Sequence, residues 1–229
     1  MVSPPPRRSK EFQPLDAEQS RKLLHIARGH PQEALFVLVL ATGMRRGELP
    51  GLKRQDIDFG KKVLYVRRAL TRLPTKLARE KGVLYVEADL KTKSSKRSIA
   101  LAGFAIEALK QHRTRQEEMK HQAGKLWQDH NYVFCKPDGS HLNPGYDVLV
   151  QLKRLLKKAS LPDVRFHDLR HSVATFLLSI SVHPKIVQDI LGHAKINMTL
   201  DTYSHVSPTM QREAMEKLDE LFEEWNKEK

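Results

Sequence analysis

The chain has 229 residues, of which 40% are hydrophobic, and it carries a formal net charge of +13 at pH 7. This length allows one large domain or two small ones, and the apolar fraction is enough to build a core. The longest apolar run, residues 34–41, is far shorter than the roughly 20 residues that cross a bilayer, so no membrane-spanning helix is expected. So large an excess of positive charge favours a polyanionic partner, most often nucleic acid.

Two further features of the composition bear on the cellular compartment. The N-terminus is basic, but no apolar segment follows it, so we expect no signal peptide. The single cysteine, Cys135, cannot form a disulfide within the chain. A reducing compartment suits such a protein, and we therefore expect it in the cytoplasm.

The first third of the chain has helical patterning. Asp16 and Gln19 have the spacing of a capping box at the start of a helix. Residues 31–44 are apolar nearly all round, which is typical of a buried helix. Residues 45–52, RRGELPGL, predict a short helix that Pro50 bends or ends.

The next region predicts a small sheet. Residues 61–68, 82–90 and 96–101 carry the β-branched and aromatic residues of strands, and the turn at 92–95 joins the last two. We expect three antiparallel strands with a basic hairpin at one edge. Twelve Lys or Arg against three Asp or Glu between residues 61 and 97 make this region a candidate DNA-facing surface.

Helical periodicity returns after the strands. It covers residues 104–119, 146–159, 167–180 and 184–193, with Pro184 at a first-turn position and Gly192 at a C-terminal cap. A last helix is indicated by one apolar stripe, formed by Met215, Leu218, Leu221, Phe222 and Trp225. The pattern predicts an α+β fold that is mostly helical, with one small antiparallel sheet.

The segment HDLRH, residues 167–171, allows two kinds of site. His167 and His171 are four residues apart, as in helical zinc sites, and Asp168 follows the first histidine. However, Arg170 would place a permanent charge beside the cation, and no Cys or His cluster offers a third ligand. An anion site is the alternative, because His167 and Arg170 share a helix face and a guanidinium binds phosphate oxygens in pairs. A third possibility is a helix-start histidine beside a surface salt bridge.

Other segments supply residues that match an anion site. In chain order the candidates are Arg45 in ATGMRRGEL, Lys93 in KTKSS, His167 and Arg170 in HDLRHS, His193 in LGH, and Tyr203 in DTYSHV. These motifs, their order and their separations resemble those of the tyrosine recombinase family, the phage integrases and their relatives. The resemblance runs from about Phe12 to the C-terminus. It implies a catalytic domain over residues 12–229, with a C-terminal helix at 207–226, a linker remnant at 1–11, and no N-terminal core-binding domain.

The resemblance implies a DNA strand transferase that uses neither a metal nor another cofactor. Tyr203 would attack a backbone phosphorus, leaving a 3′-phosphotyrosine link and a free 5′-hydroxyl. Arg45 and Arg170 would hold the non-bridging oxygens, where negative charge builds up in the transition state. His193 would donate a further hydrogen bond, and His167 would accept the tyrosine proton or hold Tyr203 in place.

The remaining assignments also follow the family pattern. Lys93 would protonate the departing 5′-oxygen, with Lys91 and Lys96 as competitors for that role. Glu48 resembles the acidic residue that braces the first arginine, and His171 is expected to lie one turn behind the site.

The expected partners are double-stranded DNA and further copies of the chain, in a DNA-bound tetramer without membrane contact. The C-terminal helix would dock on a neighbouring copy or fold back on its own domain, and both remain open. The protein would act near the nucleoid of a prokaryotic or phage host cell. Rival functions are a type IB topoisomerase-like activity, a catalytically silent DNA-binding regulator and a metal-dependent hydrolase.

Overall fold

The computed structural model describes residues 14–90, 95–197, 199 and 215–216. The helices are α1 (Ala17–Ala27), α2 (Glu33–Thr42), α3 (Thr75–Lys81), α4 (Gly103–Ala123), α5 (Asp147–Lys158), α6 (Phe166–Ser179) and α7 (Pro184–Leu191). The strands are β1 (Ile57–Asp58), β2 (Val63–Val66), β3 (Arg68–Arg72), β4 (Tyr85–Asp89) and β5 (Arg97–Ala100). No described helix is long and apolar enough to cross a bilayer. The predicted α+β, mostly helical fold with a small antiparallel sheet is confirmed.

The buried helix α2 organises the core. The predicted capping box starts α1, where the Asp16 side chain accepts from the Gln19 amide at 2.7 Å. Helix α2 then contacts α1, α4 and α6, and its apolar side chains are buried on every face. It ends at Gly43, whose φ of +62° is the left-handed conformation that glycine adopts without strain. The chain segment after α2 therefore starts from the centre of the molecule.

The segment after α2 differs from the prediction. Residues 46–51 form turns rather than the expected short helix. Pro50 has no N–H with which to continue a helix, and Gly47 favours one poorly. The side chain of Glu48 instead accepts from the Arg45 amide at 2.8 Å and fixes the turn. Arg45 therefore lies at the start of a turn and not at the N-terminus of a helix.

The strands are also arranged differently from the prediction. A three-stranded antiparallel sheet exists, but its order is β1-β2-β5, and β3 and β4 form a separate antiparallel pair. The predicted strand over 61–68 is divided at Arg67 into β2 and β3. The Leu70 amide donates to the Gly47 carbonyl at 2.8 Å, and a Cβ atom on Gly51 would lie only 3.1 Å from the Cα of Ala69. Strand β3 is thus held against the glycine-containing turn instead of continuing the first sheet.

The last described helices close the fold around α2. Helix α6 packs on α2 and α7, and α7 contacts β5. As predicted, Pro184 occupies the first turn of α7, and Gly192 ends it in the left-handed conformation. A small apolar cluster joins α6 to α7; it consists of Val173, Ala174, Leu178, Val187 and Leu191. The predicted C-terminal helix at 207–226 lies outside the described residues apart from Met215 and Glu216.

Candidate active site

The C-terminal ends of α2 and α7 meet the N-terminal turns of α6. Helix α6 begins at Phe166 because Asp168 caps it, accepting from the Arg165 amide at 2.7 Å and pairing with the Arg165 guanidinium at 2.8 Å. Burial would raise the pKa of Asp168, but its hydrogen bonds from Arg165 bring that pKa below its ordinary value. Asp168 is therefore a capping carboxylate. The described residues contain no group of three or more His, Cys, Asp or Glu side chains placed to hold a metal ion.

Arg170 is a buried cation with unused hydrogen-bond donors. Its side chain is 2% exposed, and its Nη1 donates to the Gly43 carbonyl at 2.8 Å. Its Nε and Nη2 find no acceptor among the described residues. Burial, followed by the charges of Arg45 and Arg97, lowers the pKa of Arg170 to about 9. The alternative of a surface salt bridge at Arg170 is therefore wrong, and the side chain is poised to receive an anion.

Arg45 is held by a carboxylate and by the end of α7. Its Nη1 donates to Glu48 at 2.7 Å, and its Nη2 donates to the Gly192 carbonyl at 2.6 Å. Glu48 is 1% exposed and also binds Arg97. Burial would raise the pKa of Glu48, but hydrogen bonding and charge from Arg97, then from Arg45, lower it below its ordinary value. Glu48 is therefore ionised, and its two oxygens hold the side chain and the amide of Arg45.

The histidines of α6 form a pair on one face of the helix. The rings of His167 and His171 stand perpendicular, with their centroids 4.7 Å apart. Burial, followed by the charge of Arg170, lowers the pKa of His167. Burial, followed by the charge of His167, lowers the pKa of His171 to about 4. Both imidazoles are therefore neutral near pH 7, and His171 lies one turn behind His167.

His193 follows the left-handed cap of α7 and is 4% exposed. Its Nδ1 lies 2.9 Å from the hydroxyl of Thr199, and its amide donates to the Gln188 carbonyl at 3.1 Å. Burial, followed by the charges of Arg170 and Arg45, lowers the pKa of His193 to about 3. The imidazole is therefore neutral. When Thr199 donates to Nδ1, the proton sits on Nε2 and can be donated to a ligand.

A cavity of about 450 Å³ opens beside these side chains. Its cationic lining comprises Arg45, Arg46, Lys153, Arg165 and Arg170, and its remaining walls comprise Met44, Leu149, Phe166 and His167. No carboxylate is among the described lining residues. The cavity is therefore suited to an anion that several guanidinium groups contact together.

The structure brings together most of the predicted site. Arg45, His167 and Arg170 line one cavity. His193 directly follows Gly192, whose carbonyl accepts a hydrogen bond from Arg45. Lys93, its competitor Lys91 and the predicted nucleophile Tyr203 lie outside the described residues, while Lys96 is exposed on the approach to β5. The predicted roles of a lysine as the proton donor and of Tyr203 as the nucleophile therefore remain predictions.

The sequence analysis missed Arg97, the first residue of β5. Its side chain is 5% exposed and binds both oxygens of Glu48. A signal was present, because Arg97 and the buried Ile99 are two residues apart and so lie on the same face of a strand. An arginine on an inward face requires a buried partner.

The lowered pKa values predict how stability depends on pH. The unfolded state takes up protons on His171 and His193 near pH 6.5, whereas the folded state does so only near pH 4 and pH 3. Stability should therefore be fully present above about pH 6.5 and fall as the pH drops towards 4. Urea unfolding across this range should show a shallower fall for His193→Gln than for the wild type. The exposed His25→Gln serves as the control, and equal slopes in all three proteins would contradict the assignment.

Sequence comparison gives one family. A sequence model of the phage integrase family matches residues 13–210. A tyrosine recombinase XerC-like protein of Caldanaerobacter subterraneus subsp. tengcongensis is 37% identical, over 93% of this chain and 55% of that protein. The ICEBs1 integrase of Bacillus subtilis is 27% identical, over 84% of this chain and 51% of that protein. The chain thus spans about half the length of the curated relatives it matches.

Solved structures agree with the sequence comparison. The Tn1549 transposon integrase in complex with transposon right end DNA superposes with a TM-score of 0.76 at 27% identity, covering 92% of this chain and 67% of that one. The XerH site-specific recombinase bound to palindromic difH substrate, a post-cleavage complex, superposes with a TM-score of 0.63 at 25% identity, covering 90% and 53%. With the buried Arg170 and the partly exposed Arg45 lining one cavity at the predicted motif positions, these matches establish that the chain belongs to the phage integrase family.

Proposed function

We propose that this chain is the catalytic part of a site-specific DNA recombinase that cleaves and rejoins strands through a 3′-phosphotyrosine at Tyr203. The observation that carries the proposal is the state of Arg170, a buried guanidinium with two unused donors. It shares a cationic cavity with Arg45 and His167. Burying an unpaired charge is costly, so a fold that keeps one has a use for it when an anion arrives.

The proposed reaction conserves the energy of the phosphodiester bond. The phenol oxygen of Tyr203 bonds to phosphorus as the bond from phosphorus to the 5′-oxygen breaks. The phenol proton passes to His167, whose lowered pKa leaves the ring neutral and able to accept it. Lys93 gives a proton to the departing 5′-oxygen, with Lys91 and Lys96 as the alternatives. A 5′-hydroxyl then attacks the phosphotyrosine and reverses these steps.

The arginines lower the barrier by stabilising charge. The five-coordinate transition state carries more negative charge on its non-bridging oxygens than the diester does. Arg45 and Arg170 line the same cavity, and the guanidinium groups of both are already oriented by protein acceptors. His193 is neutral and can add one donated hydrogen bond through Nε2. Donors fixed in this way need no rearrangement as the charge develops.

The proposed partner is double-stranded DNA in the cytoplasm. The charge of +13 and the cationic cavity favour it, and two structural relatives were solved with DNA. We further propose assembly on DNA as a tetramer, with the apolar stripe of the segment 207–226 docked on a neighbouring copy. The names of the relatives, integrases and recombinases, do not favour a topoisomerase-like enzyme or a silent regulator.

The proposal is tested with a nicked suicide substrate, in which cleavage releases a short 5′-hydroxyl strand that diffuses away. With EDTA present, we expect protein joined covalently to the 3′ end, and a released strand that polynucleotide kinase labels without prior phosphatase treatment. Addition of a second duplex with a free 5′-hydroxyl should give strand transfer. Cleaved DNA without attached protein would instead indicate a hydrolase, and the proposal would then fail.

A further inference from the structure

Arg97 connects three segments of the candidate site. Its Nη1 and Nη2 donate to the two oxygens of Glu48 at 3.1 and 2.9 Å. Its Nε donates to the Ile190 carbonyl near the end of α7 at 2.7 Å, and its Nη1 also approaches the Ser95 carbonyl at 3.2 Å. All its donor nitrogens thus face protein acceptors, so Arg97 is not itself available to a ligand in this arrangement.

Arg45 makes a parallel set of contacts. Its side chain and amide donate to the two oxygens of Glu48 at 2.7 and 2.8 Å, and its Nη2 donates to the Gly192 carbonyl at 2.6 Å. Glu48 therefore accepts four hydrogen bonds, which is the full capacity of a carboxylate. The two arginines also share the carbonyl end of α7, where the helix dipole favours positive charge. One carboxylate and one helix end thus fix both guanidinium groups.

From this geometry we propose that Arg97 is a positioning residue for strand cleavage. It sets the place of Arg45 through Glu48, and it sets the place of His193 through the end of α7. Without Arg97, the Glu48 side chain is free to rotate, and the C-terminal end of α7 keeps only one of its two hydrogen bonds from arginine side chains. Arg45 then no longer meets the phosphate at a fixed angle. The inference rests on the proposed function, because the phosphate is the ligand that Arg45 and His193 are positioned to meet.

The test compares a normal diester with a methylphosphonate at the cleavage position. A methyl group replaces one non-bridging oxygen, so the transition state carries less negative charge and needs the arginines less. If Arg97 acts through Arg45, Arg97→Gln should lower the single-turnover cleavage rate of the diester about 100-fold. It should lower the cleavage rate of the methylphosphonate by no more than about tenfold. Arg45→Ala should show the same pattern.

Arg68→Gln is the matched control. Arg68 is another largely buried arginine of this region, and it pairs with Asp56 and Glu87 rather than with the site. Arg68→Gln should change the cleavage rates of the diester and the methylphosphonate by the same factor. If Arg97→Gln also affects both substrates equally, or leaves cleavage unchanged, Arg97 is only a structural residue and the inference is overturned.

A second measurement does not depend on cleavage or on the Gln variant. Inorganic phosphate should raise the Tm of the wild type by binding between Arg45 and Arg170. Arg97→Lys keeps the charge, but one ammonium cannot span Glu48 and Ile190, so it should lose most of this phosphate-dependent shift. Arg68→Gln should keep the shift. A full phosphate-dependent rise in the Tm of Arg97→Lys would contradict the positioning role. If phosphate raises the Tm of the wild type but the wild type forms no covalent adduct with the suicide substrate, only the proposed function fails.

Discussion

Replacing Arg170 with methionine should make the protein more stable and abolish strand cleavage. Arg170 is 2% exposed, and among the described residues its guanidinium has one acceptor, the Gly43 carbonyl. Its Nε and Nη2 have no acceptor within the described part of the chain, and burial lowers its pKa to about 9. Methionine fills a similar volume without a charge to desolvate. We expect a gain of about 1–3 kcal/mol in the free energy of unfolding.

The same substitution should lower single-turnover cleavage by about 10³–10⁵-fold, because the transition-state charge loses a fixed donor pair. Urea unfolding and cleavage of a suicide substrate measure the two effects. Arg154→Met, at an exposed position on α5, serves as the stability control and should change the unfolding free energy by less than about 0.5 kcal/mol. A loss of stability in Arg170→Met would show that the residue holds the fold together instead of awaiting an anion.

Glu48→Gln should have the opposite effect on stability. Glu48 is the only carboxylate bound by Arg97 and by the Arg45 side chain among the described residues. An amide has the shape of the carboxylate, but it has one acceptor oxygen and no charge. The substitution leaves the buried Arg97 without a counter-charge, and we expect a loss of about 3 kcal/mol in the free energy of unfolding. Cleavage should fall about 100-fold, because Arg45 loses its orientation.

Glu117→Gln is the matched control for this prediction. Glu117 pairs with Arg54, but its side chain is 49% exposed, and exposed ion pairs contribute little. Its substitution should cost less than about 1 kcal/mol. Equal losses for Glu48→Gln and Glu117→Gln in urea unfolding would mean that the buried carboxylate does not hold the two arginines.

Elements set by local signals could be predicted from the sequence. The spacing of Asp16 and Gln19 predicted a capping box, and Pro184 with Gly192 predicted both ends of α7. The three-residue spacing of His167 and Arg170 placed both on one helix face, where they line one cavity. In each case the signal lies within one or two helical turns of the residue it concerns.

Features that depend on distant backbone contacts could not be predicted in this way. The division between β2 and β3 follows from the bond between Leu70 and Gly47, which local strand propensity does not report. The four contacts of Arg97 likewise depend on where α7 ends relative to β5. The burial of Arg170 follows from the packing of α6 on α2, and a spacing of residues carries no information on that packing.

The most direct test of the account is to identify the residue that becomes linked to DNA. Wild type and Tyr203→Phe are incubated with the nicked suicide substrate, resolved on a denaturing gel and digested for mass spectrometry. The account predicts an adduct in the wild type, carried by the peptide that contains Tyr203, and no adduct in Tyr203→Phe. An undiminished adduct in Tyr203→Phe, or linkage through another residue of the wild type, would contradict it.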